Sequence, residues 1–428
     1  MSALAVYLLA FIGLIALAMP IGFALGLSTL LVFVMTDQPV QLFTQRLWTG
    51  LDRFTLVAIP LFILAGELMG GSGILQRLLD FARLLVGRFK GSLLQINIVV
   101  SMFFGGINGS AIADTSAVGS MMIKATKEEY NDGELVAAVT AVSSVVGPVI
   151  PPSLPMLIYA FAAGNVSIAA LFLAGIVPGI LLGLSMMIVT AILVRRKDYP
   201  VSDRRYGMAE ILRITGRFLI AAILPVIMVG GVVGGFATPT EAGCIAIVYA
   251  LAIGFFVTRQ LTWALVHAAM VRTITVTAVV MLLISVGNVS TWWLTIEGVP
   301  RWISTALQET TSSPMVFLAL MLVIYLVIGL FIEQAAAMVM LVPIFAPLAS
   351  AYGIDPVHFG LFTCLALALG LVTPPVGLCL FIAGGIANVP IHRVFVAAAP
   401  YLLAMFMILL LVTFVPQIYL WLPRMMGL

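Results

Sequence analysis

Two Pro-Pro pairs stand inside long apolar runs, Pro151-Pro152 in GPVIPPSLPMLIY and Pro374-Pro375 in GLVTPPVG. A proline within a helix removes a backbone donor, and its ring clashes with the carbonyl one turn earlier. Two in a row predict an unwound stretch. The carbonyls of Gly147, Pro148, Val149 and Ile150, and those of Gly370, Leu371, Val372 and Thr373, then lose their intrahelical partners. Lipid does not tolerate such carbonyls unless something else satisfies them. A small hard cation such as sodium, which takes several oxygen ligands, meets that need. The Thr373 hydroxyl offers one oxygen more. For either pair alone, a plain proline kink is the simpler alternative.

Two other stretches combine small, polar and acidic residues. FFGGINGSAIADTSAVGS (103–120) holds Gly105, Gly106 and Gly109, which permit tight turns. Its Asn108, Ser110, Thr115 and Ser116 supply side-chain oxygens or helix caps. A helix starting there favours an anion at its N-terminus, such as a substrate carboxylate. Small residues also serve close helix packing. GLFIEQAAA (329–337) is less polar but contains Glu333 and Gln334. Four acids, Glu67, Asp114, Glu241 and Glu333, lie in or beside apolar runs. An ionisable residue inside a membrane is a functional candidate by default. Asp114 and Glu333 adjoin the two polar stretches and are candidates for a cation site, a substrate contact or a helix cap. Glu67 and Glu241 lie near run ends and also read as structural. Gly109, Asp114, Thr115, Ser116, Glu333 and Gln334 together form the candidate substrate set. Asn288, Ser290, Thr291, Trp292 and Trp293 follow an apolar run, where the tryptophans read as interfacial anchors or as the lining of a path. No metal spacing is visible among Cys244, Cys364, Cys379, His267, His358 and His392. No Ser-His, paired catalytic Asp or HExxH pattern supports an intramembrane enzyme, and no cofactor is implied.

The elements that must hold these residues are membrane spans. The chain has 428 residues, 63% hydrophobic and only 9% charged, whereas a soluble domain is about a quarter charged. The net charge of +3 carries no nucleic-acid signal. Residues 3–19 lack a basic lead and a small-residue cleavage site, so they read as a first span rather than a signal peptide. Spans are expected at about 3–18, 20–36, 51–70, 166–194, 218–236, 240–257, 271–287 and 396–422, with proline-broken spans at 135–164 and 357–388. The runs at 92–123 and 313–350 read as re-entrant hairpins. Segments 76–91 and 203–217 read equally as interfacial helices or loops, and Lys124–Glu134 as a solvated loop. If the chain starts outside and each hairpin returns to its own side, sixteen of the 20 Lys and Arg residues fall inside. Only Arg46, Arg53, Arg301 and Arg424 fall outside. This is the positive-inside bias.

An internal repeat organises the spans. Shifted by 223 residues, GPVIPPSLPMLIYAFAAGNVSIAALFLA from Gly147 falls on GLVTPPVGLCLFIAGGIANVPIHRVFVA from Gly370. Gly147/Gly370, Val149/Val372, Pro151/Pro374, Pro152/Pro375, Asn165/Asn388 and Ile168/Ile391 coincide. Each copy has three spans, a hairpin, a broken span and a final span, and the charge count makes the copies inverted. The expected fold is an all-α polytopic membrane protein of two inverted-topology repeats. Inverted repeats with discontinuous helices mark secondary transporters, with sites near the midplane. A channel fits such breaks less well than alternating access does.

The stretches AIPLFILAG (58–66), NGSAIADTSAVGS, GPVIPPSLPMLIY, FATPTEAG (236–243) and GLVTPPVG, in this order over nearly the whole chain, resemble the large membrane subunit of TRAP transporters. These are the tripartite ATP-independent periplasmic systems of the bacterial inner membrane. The resemblance implies sodium-coupled uptake of an organic acid such as a C4-dicarboxylate, sialic acid or another sugar acid. It implies two partners, a periplasmic substrate-binding protein and a small membrane subunit of about four spans. It also implies an elevator, with scaffold parts at 1–91 and 195–312 (the latter including a cytoplasmic connector) and transport parts at 92–194 and 313–428. On this pattern one sodium site uses Asn108, Ser110, Gly147, Ile150 and Pro152, and the other Gly329, Gly370, Thr373 and Val376. Some relatives have Thr or Ala where this chain has Asp114, so no fixed role passes to that residue. A stand-alone symporter needing no binding protein is the alternative reading.

Overall fold

The computed structural model describes residues 3–164, 166–201 and 204–428. Asn165, part of the repeat, and Asp203, the first residue of the 203–217 segment, lie outside the described residues. All regular structure among the described residues is helical. The first part holds α1 (Ala3–Ala16), α2 (Ile21–Met35), α3 (Val40–Leu51), α4 (Ala58–Gly71) and α5 (Ile74–Val86). A hairpin follows, α6 (Ser92–Asn108) and α7 (Ala111–Tyr130), then α8 (Gly133–Ser144), a break, α9 (Leu154–Ala163) and α10 (Ile168–Val194). The middle holds α11 (Met208–Val233), α12 (Pro239–Val257) and α13 (Trp263–Ile296), then α14 (Val299–Thr310). The last part repeats the order of the first: hairpin α15 (Pro314–Gly329) and α16 (Gln334–Ala351), α17 (Pro356–Gly370), a break, α18 (Leu378–Ala387), α19 (Ile391–Phe414), and a closing α20 (Gln417–Met425). Among the described residues, seven helical stretches are long and apolar enough to cross a membrane. The protein is an all-α, multi-pass membrane protein.

Helix starts recur at the 223-residue offset. Gly133 and Pro356 open α8 and α17, and Ile168 and Ile391 open α10 and α19. The caps recur as well. Asp132 accepts the Leu135 amide at 3.1 Å ahead of α8, and Asp355 accepts the Val357 amide at 2.8 Å ahead of α17. Such caps satisfy amides that have no intrahelical acceptor.

Several sequence-based boundaries move, each for a local reason. Lys124–Glu134 is not a loop: α7 runs to Tyr130, and the turn is confined to Asn131, at φ 50°, and Asp132. Lys, Ala, Met and Glu are strong helix formers, so polarity alone ends nothing. The stretch 203–217 is no separate interfacial element, because from Met208 onward it is the start of α11, whose Arg213 and Arg217 sit in the early turns. The span expected at 271–287 is part of the 34-residue α13, which carries Asn288–Trp293 inside it rather than after it. Polar partners on neighbouring elements make this possible. Ser285 donates to Leu47 O at 2.8 Å, Asn288 donates to Arg46 O at 2.8 Å, and the Ser290 and Thr29 hydroxyls lie 2.6 Å apart. Trp293 is buried against Tyr7, so it is core and not an anchor. Segment 76–91 is helical as far as Val86, within α5, and its last five residues form turns. Helices α3 and α14 were not expected. The last span divides after Phe414, where Pro416 interrupts it.

The two parts interlock. Helix α9 packs on α16 and α17, and its counterpart α18 packs on α7 and α8. Each half-helix beyond a break therefore lies against the hairpin of the other part. A separate apolar cluster joins α1 and α2 to the end of α13 through Tyr7, Leu25, Phe33, Val289 and Trp293.

Candidate functional site

Glycines let hairpin α6–α7 approach the first break at backbone distance. A Cβ on Gly105 would stand 2.5 Å from Gly147 Cα, one on Gly106 would stand 3.0 Å from Ile150 Cγ2, and one on Gly109 would stand 2.9 Å from Pro152 O. Gly109 also has φ 65°, which closes α6 in the left-handed region. Ser110 then caps α7, accepting the Ala113 amide at 3.4 Å. Gly147, Ile150 and Pro152 are thus brought together with the tip at Gly109–Ser110. Asn108 faces elsewhere, toward Gly66 of α4. Within the break, the Ser153 hydroxyl donates to Pro148 O at 2.5 Å and accepts the Met156 amide at 3.3 Å. Among the described residues no hydrogen bond reaches the carbonyls of Gly147 and Ile150. Pro151, Pro152 and Ser153 are buried.

The second break is built on the same glycine contact. Gly329 of α15 touches Gly370 of α17, and a Cβ on Gly370 would overlap Gly329 O. Not all four carbonyls named from the sequence are orphaned here. Gly370 O accepts the Thr373 amide at 3.2 Å, and Leu371 O accepts the Cys379 amide at 2.9 Å. The carbonyls of Val372 and Thr373 have no hydrogen bond among the described residues. Thr373 donates its hydroxyl to Leu369 O at 2.7 Å, which leaves the oxygen lone pairs free to accept. Pro375 and Val376 are exposed, and Pro374 is half-buried.

The tips and both breaks share one small cavity of about 50 Å³. Gly109 and Ser110 come from the first tip, Pro148 from the first break, Glu333 and Gln334 from the second tip, and Leu371 from the second break. Glu333 is the counterpart of Ser110 and caps α16, accepting the amides of Ala335 at 2.9 Å and Ala336 at 3.2 Å. Gln334 donates to Cys364 O at 2.9 Å. Deeper in α7, Asp114 is fully buried, and neither carboxylate oxygen has a hydrogen bond among the described residues. The hydroxyls of Ser144 and Ser101 stand close enough to turn toward it, with Cys379 of α18 nearby. Thr115, on the same buried side, donates to Ala111 O at 2.8 Å, whereas the exposed Ser116 donates to Ile112 O at 2.9 Å. Glu241 caps α12 in a reciprocal capping box with Thr238. Glu67 pairs with Arg272 at 3.5 Å.

Sequence reasoning missed Ser153, Ser101, Ser144 and the Asp132/Asp355 pair. The last was findable, because both lie at the 223-residue offset just ahead of an apolar run. Two ion pairs and a hydrogen bond join residues expected on the inner side. Lys197 pairs with Asp132, Arg393 pairs with Glu134 at 3.3 Å, and Lys90 donates to Arg195 O at 3.3 Å. Burial raises the Asp132 pKa, but the Lys197 ammonium and the Tyr199 hydroxyl outweigh it and hold the carboxyl below its ordinary range. Burial, and the hydrogen bond to that carboxylate, push the Tyr199 phenol up.

Long apolar spans and two helices each interrupted at a Pro-Pro pair are the architecture of a membrane carrier. The family model "Tripartite ATP-independent periplasmic transporter, DctM component" matches residues 8–418. The chain belongs to this family: it is a large transporter permease of the inner membrane and not an enzyme. It is 35% identical over 415 residues to the sialic acid TRAP transporter large permease protein SiaM of Vibrio cholerae, covering 97% of each chain. It is 34% identical over 405 residues to the C4-dicarboxylate TRAP transporter large permease protein DctM of Pseudomonas aeruginosa, covering 94% of each. The solved YdaH transporter of Alcanivorax borkumensis matches with a TM-score of 0.63 over 88% of both chains, at 16% identity, a likeness of fold alone.

Proposed function

We propose that this permease couples inward movement of an organic acid anion to sodium. The observation that carries the reading is the cavity of about 50 Å³ walled by both hairpin tips and both helix breaks. Backbone carbonyls at Gly147, Ile150, Val372 and Thr373, outside the lining of that cavity, have no hydrogen bond among the described residues and would offer hard oxygen ligands, as discontinuous helices of secondary carriers do. Asp114, with Ser101 and Ser144 beside it, is a further place where a small cation would satisfy buried oxygens. The substrate belongs to the C4-dicarboxylates or the sugar acids, as the names of the relatives suggest. The charge distribution supports opposite membrane orientations for the two repeats. The interlocked hairpins and half-helices would then move as one body against the α1–α5 and α11–α14 scaffold. A periplasmic binding protein delivers the acid, and a small membrane subunit completes the complex.

Reconstitution tests this directly. Proteoliposomes holding the complete complex are expected to accumulate the acid under an inward sodium gradient, with the binding protein outside. Equal uptake in potassium defeats sodium coupling. Equal uptake without the binding protein shows a stand-alone symporter instead. A cysteine at position 198, in the connector, should react with an impermeant reagent only after the cells are permeabilised, and labelling in intact cells overturns the topology.

A further inference from the structure

A second cavity, of about 570 Å³, lies between α4, α13 and the hairpin α6–α7. Its α4 wall is a glycine face, Gly66, Gly70 and Gly71, which keeps the groove wide. The hairpin wall offers Asn108, Ser116 and Ser120. Asn108 is the last residue of α6, so the cavity begins at the hairpin tip. Two charges lie on the wall, Glu67 from α4 and Arg272 from α13. They meet through a single contact, Arg272 Nη1 to Glu67 Oε2 at 3.5 Å. The Arg272 side chain remains 72% exposed while Glu67 is 20% exposed. A guanidinium held by one long contact retains most of its donors, and its planar fork suits a carboxylate. The pair is long and its guanidinium is open to solvent, so an incoming anion can compete with Glu67 for it. The volume falls in the range of about 300–1,000 Å³ typical of small-molecule sites.

We propose that this cavity binds the transported carboxylate through Arg272, with Glu67 as a built-in competitor that limits its affinity. The anion leaves the hairpin tip along Asn108 and Ser116 and exchanges with Glu67 on the guanidinium. Glu67 then recaptures Arg272 and ejects the anion. The inference deepens the reading of the chain as an organic-anion permease and rests on it. It assigns Arg272 a role beyond that of an inner-side topological charge, and Glu67 one beyond helix structure.

The test reads occupancy of the cavity rather than transport. Ser120→Cys is placed in a Cys244→Ser background of the full complex in detergent, and thiol labelling is followed with succinate or N-acetylneuraminate as the probe. Saturable protection by one of the two is expected. Arg272→Gln should weaken that protection at least tenfold, Arg272→Lys should weaken it less, and Glu67→Gln should tighten it about threefold. Thermal unfolding of each variant checks the fold. If Arg272→Gln unfolds, the Glu67→Gln tightening decides alone, and its absence overturns the proposal. Protection by neither probe, or protection unchanged in a folded Arg272→Gln, also overturns it. Loss of sodium dependence in the proteoliposome assay, with protection intact, overturns the coupled-uptake reading and leaves this site standing.

Discussion

The two helix breaks share a proline pair and a glycine contact, yet they differ in what surrounds them. The first is sealed. Pro151, Pro152 and Ser153 are buried, and the Ser153 hydroxyl ties Pro148 O to the start of α9. The second is open. Pro375 and Val376 are exposed, and α18 begins at Gly377 with no side-chain cap. At the 223-residue offset Ser153 becomes Val376 and Ile150 becomes Thr373. The first break has therefore placed its hydroxyl in structure, and the second has placed it beside the free carbonyls. The comparison teaches that one motif serves as a rigid joint in one repeat and as an accessible oxygen cluster in the other.

Glycine substitution should break the symmetry most sharply. Gly105→Ala places a Cβ 2.5 Å from Gly147 Cα, whereas Gly329→Ala, which at the offset answers to Gly106 rather than Gly105, places one 3.5 Å from Gly370 Cα, an ordinary contact. Overpacking costs about 1–3 kcal/mol, so Gly105→Ala should lower the Tm in detergent and abolish uptake while Gly329→Ala stays near wild type. Equal Tm values would remove the distinction between a sealed and an open break.

Ion dependence gives the next effect. Thr373→Val should raise the sodium concentration for half-maximal uptake about tenfold, a change of about 1.4 kcal/mol, at unchanged Tm. Wild-type sodium dependence in this variant removes the second break from the ion site. Pro152→Ala should weaken sodium dependence as well, but with a fall in Tm, because its break is enclosed.

The cap comes third. Ser153→Ala removes the bond to Pro148 O and the cap on α9, at about 1 kcal/mol, read as a lower Tm. Val376→Ser, its mirror, should leave the Tm nearly unchanged. A larger loss from Val376→Ser would show that the second break is the more tightly built of the two.

The smallest effect lies at the matched caps outside the membrane. Asp132 is held below its ordinary pKa by Lys197 and Tyr199 against the opposing effect of burial. A depressed carboxyl contributes stability that is complete above its unfolded value, about pH 4. That contribution is lost as the pH falls through the folded value. The Tm gap between the wild type and Asp132→Asn should therefore close on acidification below about pH 4. A gap that persists in acid means that the carboxylate charge is not what holds the turn.

Much of this was legible from local chemistry. Proline pairs break helices wherever they fall, so both breaks stand where the sequence places them. Helix ends that depend on distant partners were not legible. The extent of α13 rests on Leu47, Arg46 and Thr29 receiving its polar residues, and nothing near Asn288 in the chain announces them. The run Lys124–Tyr130 was misread because solvation and helicity are separate properties.

By itself the sequence determined the membrane class and the positions of the breaks, because hydropathy, proline chemistry and glycine freedom act within a few residues. Only the tertiary structure decided that α9 lies on the other repeat's hairpin and α18 on the first, that Asp114 faces Ser101 and Ser144, and that one break is closed while the other is open. Those outcomes depend on contacts between residues far apart in the chain, where identical Pro-Pro motifs meet different neighbours.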